Sequence, residues 1–119
     1  MLYLVSRMKL SEKSRRDMHS FWAWLEQRER WFYRDLPMVK GVRWYLTAIG
    51  ELYTLECWAA FDDEFGYAAY RQSMASLKAD AQWESQRVSQ DDWWLFLESR
   101  LMGDVPCKVG FGVVGATAS

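Results

Sequence analysis

Two β-rich runs, VKGVRWYLTAI at residues 39–49 and LYTLECWAAF at residues 52–61, flank Gly50-Glu51, and this juxtaposition constrains the fold more than any other feature of the chain. Glycine readily takes the positive φ that a two-residue turn demands, so the pattern predicts a β-hairpin. Residues equidistant from the turn then oppose one another, which defines both faces. One carries Val42, Trp44, Leu46, Ala48, Tyr53, Leu55, Cys57 and Ala59, nearly all apolar; the other carries Arg43, Tyr45, Thr47, Thr54, Glu56 and Trp58. On the second face Tyr45 opposes Glu56, and Arg43 opposes Trp58, a cation–indole pair worth ~0.5 to 2 kcal/mol depending on desolvation.

Helical patterns lie on both sides of the hairpin. Residues 2–9 read as a short strand closed by Leu10-Ser11-Glu12. A helix follows with Ser11 as N-cap, Glu12 and Ser14 in its first turn, and Pro37 as its stop after Leu36. Met18, Phe21, Trp22, Leu25, Phe32 and Leu36 recur along it at helical spacing, one apolar stripe. Beyond the hairpin, Asp62-Asp63-Glu64 opens a second helical region, broken near Ala79-Asp80 and resumed from Trp83 to about Trp94. Residues 96–105 supply a fourth strand, and a Gly-rich tail or arm occupies residues 107–119. The order is βαββαβ within one domain of residues 1–106: an α+β, ferredoxin-like arrangement of an antiparallel four-stranded sheet with its helices on one face. The other face needs a cover. In so short a chain the simplest cover is a second copy, which predicts a two-fold homodimer with sheet packed on sheet.

Eight tryptophans, six tyrosines and six phenylalanines among 119 residues exceed what one small core absorbs, which also argues that the monomer is not the finished unit. Trp24 and Trp31 fall opposite the apolar stripe. They are expected to cap the partner's cleft, to meet Trp93-Trp94, to join a higher assembly, or to be covered by the tail. Fifteen basic and sixteen acidic residues leave a net charge of -1 with no long like-charge block, which argues against a nucleic-acid partner. The apolar run at residues 1–5 is too short for a signal-peptide core or a bilayer span, so no membrane partner is expected. Cys57 and Cys107 make no metal-type pair; the expectation is a reduced, cytoplasmic protein without a metal or other cofactor. Cys57 reads as a small core residue and Cys107 as exposed.

Residues 53–73, YTLECWAAFDDEFGYAAYRQS, resemble the third strand and following helix of the dimeric α/β-barrel superfamily, which includes the antibiotic-biosynthesis monooxygenases, NIPSNAP-like proteins and stress-responsive barrels. The matching features are Glu56 two residues before the aromatic Trp58, the acidic helix start at Asp62-Asp63-Glu64, and aromatics followed by Ser73 along the helix. In members that degrade haem, the tryptophan lies in a cleft between sheet and helices, beside an Asn of the first strand and an axial His of the second helix. Trp58 matches that tryptophan, whereas Ser6 falls where the Asn would be and Ala68 or Ala69 where the His would be. Haem degradation is therefore not expected. The resemblance implies that Trp58, Glu56, Tyr45 and Arg43 face a helix-side cleft, leaving the apolar face for the dimer.

Three residues are candidates for proton transfer. Glu56 is a carboxylate between apolar strand neighbours, a setting that requires an Arg partner or a raised pKa. His19, with Trp22 one turn along the helix, supplies a group that titrates near neutral pH, and Tyr45 or Glu56 can orient it. The competing reading makes His19 a surface residue of its helix. Arg43 is the candidate anchor for a carboxylate or enolate, its alternative being a structural ion pair with Glu56. Trp58, Trp22 and Ser6 complete the expected ligand wall. Gly110-Phe111-Gly112-Val113-Val114-Gly115 matches a dinucleotide fingerprint in letters alone, because only four residues follow it and no helix can hold a pyrophosphate.

These residues and the resemblance predict a homodimeric enzyme acting on an aromatic or polycyclic metabolite by cofactor-independent oxygenation, cyclisation or isomerisation. The alternative is a non-catalytic ligand-binding or stress and stability protein of the same fold.

Overall fold

In the computed structural model, residues 1–107 are described. The first strand, β1 (Leu2–Leu10), leads into a short helix, α1 (Glu12–Arg16), for which Ser11 is the N-cap, its hydroxyl accepting from the Ser14 amide at 3.2 Å. The single helix expected up to Leu36 is two helices. Asp17 breaks it with φ −143° and its carboxylate caps α2 (Met18–Phe32) by accepting from the Ser20 amide at 3.1 Å. A short acidic side chain that satisfies the next helix's free N–H groups competes with continuation of the previous one. The chain then passes Pro37 to β2 (Gly41–Leu46) and β3 (Thr54–Phe61).

The hairpin register is the expected one, with Arg43 opposite Trp58, Trp44 opposite Cys57 and Tyr45 opposite Glu56. The turn is longer than two residues. Thr47 and Thr54 still share a backbone hydrogen bond of 3.0 Å, and the loop beyond them turns with φ 119° at Gly50 and 61° at Tyr53. Gly50 carries the positive φ for which it was singled out, while Tyr53 bears the strain of a non-glycine left-handed conformation.

Helix α3 (Glu64–Lys78) is capped by Asp63 and α4 (Ala81–Ser89) by Asp80, so the break expected near Ala79-Asp80 is a change of helix. A 3₁₀ turn (Gln90–Asp92) leads to β4 (Trp94–Gly103), which begins two residues earlier than the pattern indicated. The result is an α+β fold whose four strands form one antiparallel sheet in the order β2-β3-β1-β4. The pairing of β1 with β4 shifts register between Arg7 and Met8, leaving Leu97 as the extra residue of a bulge. That bulge lets Trp94 and Phe96 share the helix side with Met8 while Ser99 still opposes Ser6. From residue 108 on, the expected tail and the glycine pattern at 110–115 lie outside the described residues.

The helices cover the face that holds Met8, Leu10, Leu55, Cys57 and Trp94, which form one buried cluster with Phe21 and Leu25 of α2. A second cluster joins Phe32 and Leu36 to Trp83 of α4. Trp24 stacks on Trp93 with ring centroids 5.0 Å apart, and Trp31 meets Trp83 edge-on at 6.0 Å. These two tryptophans are therefore tied to the C-terminal half of the chain, Trp24 by contact with Trp93 and Trp94, one of the four alternatives open for it.

The side of the sheet that meets the helices is the reverse of the one the family resemblance implied. Trp58, Glu56, Tyr45 and Arg43 lie on the opposite face, together with Arg7, which opposes both Glu56 and Glu98. Charge explains the choice. β1 contributes Arg7 and Lys9 to that face, and burying them with Arg43 and Glu56 under helices would cost several kcal/mol per ion. Leu4, Ser6, Met8 and Leu10 offer the helices an almost apolar surface instead.

Candidate functional site

A cleft of about 410 Å³ opens between the helix-covered face of the sheet and the helices. Its floor is Ser6 of β1, Cys57 and Ala59 of β3, Trp44 of β2 and Ser99 of β4; α2 supplies Arg28 and Phe32, and α3 supplies Tyr70 and Met74. The hydroxyls of Ser6 and Ser99 are 3.2 Å apart on adjacent strands. Six of the lining residues are aromatic, Phe32, Tyr33, Trp44, Tyr70, Trp94 and Phe96.

Arg28 is placed there by helical spacing, since Phe21, Leu25, Arg28 and Phe32 form the buried stripe of α2. It is 6% exposed. A charge at that depth needs compensation, and several groups share the task. Its Nε donates to Gln90 Oε1 at 2.8 Å, and its Nη1 donates to the Tyr33 hydroxyl at 3.3 Å. The guanidinium lies over the Phe32 ring at 3.7 Å from the centroid, with Trp94 at 5.5 Å and Trp44 at 5.6 Å. Glu29 brings a carboxylate oxygen to 3.7 Å of Nη1 and also accepts a hydrogen bond from the Trp44 indole. Gln90 is held in turn by donating to the Arg87 carbonyl at 2.8 Å.

The phenols and the thiol around this arginine are held in their neutral forms. Burial raises the Tyr33 phenol well above its ordinary range, and it pushes Tyr70 up to about 12 and Cys57 up to about 11. Tyr33 and Cys57 share a contact of 3.6 Å between hydroxyl oxygen and Sγ. Burial also raises Glu29, against the opposing pull of Arg28 and of the Trp44 hydrogen bond. At neutral pH the phenols and the thiol are proton donors. None is a ready nucleophile.

Of the residues expected to form the site, the cleft brings in only Ser6. Glu56 accepts from the Trp58 indole at 3.0 Å on the opposite face, where Trp58 also lies 5.8 Å from Tyr3 and 6.3 Å from Tyr45 between ring centroids. Tyr45 and Arg43 are exposed on that face. His19 is exposed on α2, and Trp22 packs edge-on against Phe21 but is exposed outside the cleft. Glu56, His19, Tyr45, Arg43, Trp58 and Trp22 therefore do not line the helix-side cleft. Arg28, Tyr33, Tyr70 and Gln90 were not among the expected residues. One signal existed for Arg28, a cation at a position of the apolar stripe; Gln90 and Tyr33 sit beyond helix ends, where periodicity carries no information.

Among the described residues no group of three His, Cys, Asp or Glu is arranged to hold a metal ion, and no helix is long and apolar enough to cross a membrane. No protein-family model matches the chain, and no curated protein matches it in sequence. Two crystal structures share the fold. Protein Atu4242 from Agrobacterium tumefaciens superposes with a TM-score of 0.63 at 19% identity, over 89% of this chain and 95% of that one. HapK from Hahella chejuensis superposes with a TM-score of 0.59 at 12% identity, over 94% of this chain and 100% of that one. At such identities the likeness speaks to fold alone.

Proposed function

We propose that this is a small-molecule protein of the ferredoxin-like, dimeric α/β-barrel type, and that its helix-side cleft takes an aromatic or polycyclic metabolite. The observation that carries this reading is the cleft itself, about 410 Å³ walled by Phe32, Tyr33, Trp44, Tyr70 and Trp94. Flat rings stack on such walls, and the volume is that of a small-molecule site. Oxygenation, cyclisation and isomerisation of such a compound share one early step, formation of an enolate. Arg28 and Tyr33 both line the cleft, and a positively charged donor there would stabilise an enolate oxygen.

A second reading, a non-catalytic ligand-binding protein, is favoured by one observation. The described residues that line the cleft include no carboxylate and no imidazole to accept a proton. The neutral fluorophore N-phenyl-1-naphthylamine tests the binding that both readings share. Saturable enhancement of its emission, lost on Met74→Trp, is the expected result; linear, unsaturable uptake would overturn the proposal. Exchange of the α-protons of 2-tetralone in D₂O, followed by NMR, separates the two readings. Protein-accelerated exchange supports the enzyme, and exchange at the buffer rate supports the carrier.

The sheet's open face is assigned to a second copy of the chain. It carries Arg7, Lys9, Arg43 and Arg100 against Glu51, Glu56 and Glu98, nearly balanced and so self-complementary under a two-fold axis. Arg43 makes no ion pair among the described residues, and Tyr45 beside it is half-exposed. An Arg43–Glu56 pair across the axis would satisfy both groups.

A further inference from the structure

The polar lining of the cleft has one chemical character, and it specifies the ligand more narrowly than the aromatic wall does. Arg28 presents five N–H donors, of which Nε is committed to Gln90 and one Nη1 hydrogen to Tyr33. Its Nη2 makes no hydrogen bond to any described residue, although the side chain is 8% exposed. Nor is Nη2 sealed away: the one fully enclosed, unpaired side-chain polar atom among the described residues is Thr54 Oγ1. Arg28 lines the cleft, and Nη2 is the guanidinium nitrogen left without a hydrogen-bond partner among the described residues. Lys78 and Arg87 add two more cations to the same lining; Arg87 pairs with Glu84 as Arg28 does with Glu29, and Lys78 makes no ion pair among the described residues. Tyr33 and Tyr70 are phenols kept protonated by burial.

We infer that the cleft binds its aromatic ligand through a carboxylate, which docks on the free Nη2 of Arg28 with the rings of the ligand against Trp44, Trp94 and Phe32. Ionised carboxylates are acceptors only, the complement of a wall that offers donors and positive charge. A carboxylate also brings a full negative charge to Nη2, where a neutral carbonyl brings only a dipole; the Glu29 carboxylate, 3.7 Å from Nη1, lies too far for a hydrogen bond of its own. The inference relocates the anion anchor from Arg43, on the far face, to Arg28. It rests on the reading of the cleft as an aromatic-ligand site.

The test is displacement of N-phenyl-1-naphthylamine from the wild-type protein by 2-naphthoate and by 2-naphthamide, which share a ring system and differ in charge. The acid is expected to displace the probe at a concentration roughly ten- to a hundredfold lower than the amide, the range set by a charge-assisted hydrogen bond. Arg28→Gln is expected to weaken displacement by the acid far more than displacement by the amide, and so to erase that preference. Tyr33→Phe, which keeps the ring, is expected to reduce the preference in part. Equal displacement by acid and amide from the wild-type protein would overturn the carboxylate inference and leave the aromatic site standing. Failure of the probe itself to bind saturably would overturn both. The wild-type comparison decides the matter even if Arg28→Gln does not fold.

Discussion

Arg28 and Gln90 meet 62 positions apart in the chain, the Nε of one donating to the Oε1 of the other over 2.8 Å in a buried contact between α2 and the turn before β4. The bond fixes the guanidinium in the cleft and links the two halves of the fold. Gln90→Leu would leave the Nε donor buried without an acceptor. It is expected to lower stability by about 1–3 kcal/mol, read from the urea midpoint. Gln90→Glu, which restores an acceptor, should recover most of that loss.

The proposed two-fold dimer predicts charge-reversal effects that compensate. Sedimentation equilibrium should show a dimer for the wild-type protein, with Arg43→Glu weakening it by about tenfold or more. The combined change of Arg43→Glu with Glu56→Arg should restore association. A monomer at micromolar concentration in the wild type would end the assignment.

Glu56 and His19 sit outside the helix-side cleft, Glu56 bonded to Trp58 and His19 exposed on α2. Glu56→Gln and His19→Ala are therefore expected to leave N-phenyl-1-naphthylamine affinity within about twofold of wild type, as distant sites do. A large loss with either variant would show that ligand reaches the opposite face of the sheet.

The two thiols should differ sharply in reactivity. Cys107 is exposed, whereas Cys57 is buried with its thiol pushed up to about 11. In native protein at pH 8 an aromatic disulfide reagent is expected to titrate one thiol quickly and the second only after unfolding or on the timescale of local opening. Cys107→Ser should abolish the fast phase.

Acid stability follows from two carboxylates held below their ordinary range. Hydrogen bonds from Ser20 lower Asp17, and hydrogen bonds from the N-terminal amine and Tyr3 lower Asp104. A carboxyl depressed in the folded state favours folding fully above its unfolded value near 3.8, and that contribution disappears as pH falls through the folded value. Asp17→Asn and Asp104→Asn should each lower Tm at pH 7. The difference from wild type should vanish at the acid end of a pH series, below both native values.

The element order and the hairpin register were legible in the sequence, but the Asp17 break between the first two helices and the length of the turn around Gly50 were not. The periodicities, the cap at Ser11, the acidic helix start at Asp62-Asp63-Glu64 and the glycine at position 50 are read by short-range physics, and with them the antiparallel hairpin pairs Arg43 with Trp58 and Tyr45 with Glu56 as expected. What only the tertiary structure decided is which face of that hairpin meets the helices. Alternation divides a strand into two faces but does not say which one is covered; that depends on the neighbouring strands. Here β1 adds Arg7 and Lys9 to the face of Glu56 and adds Met8 and Leu10 to the face of Cys57, so desolvation sends the charged face outward. The same long-range choice assembled the cleft. Arg28 with Tyr33, Cys57, and Gln90 come from three separate parts of the chain, and only the packing of α2 and the turn before β4 over the sheet brings a guanidinium, a phenol and a thiol into one chamber.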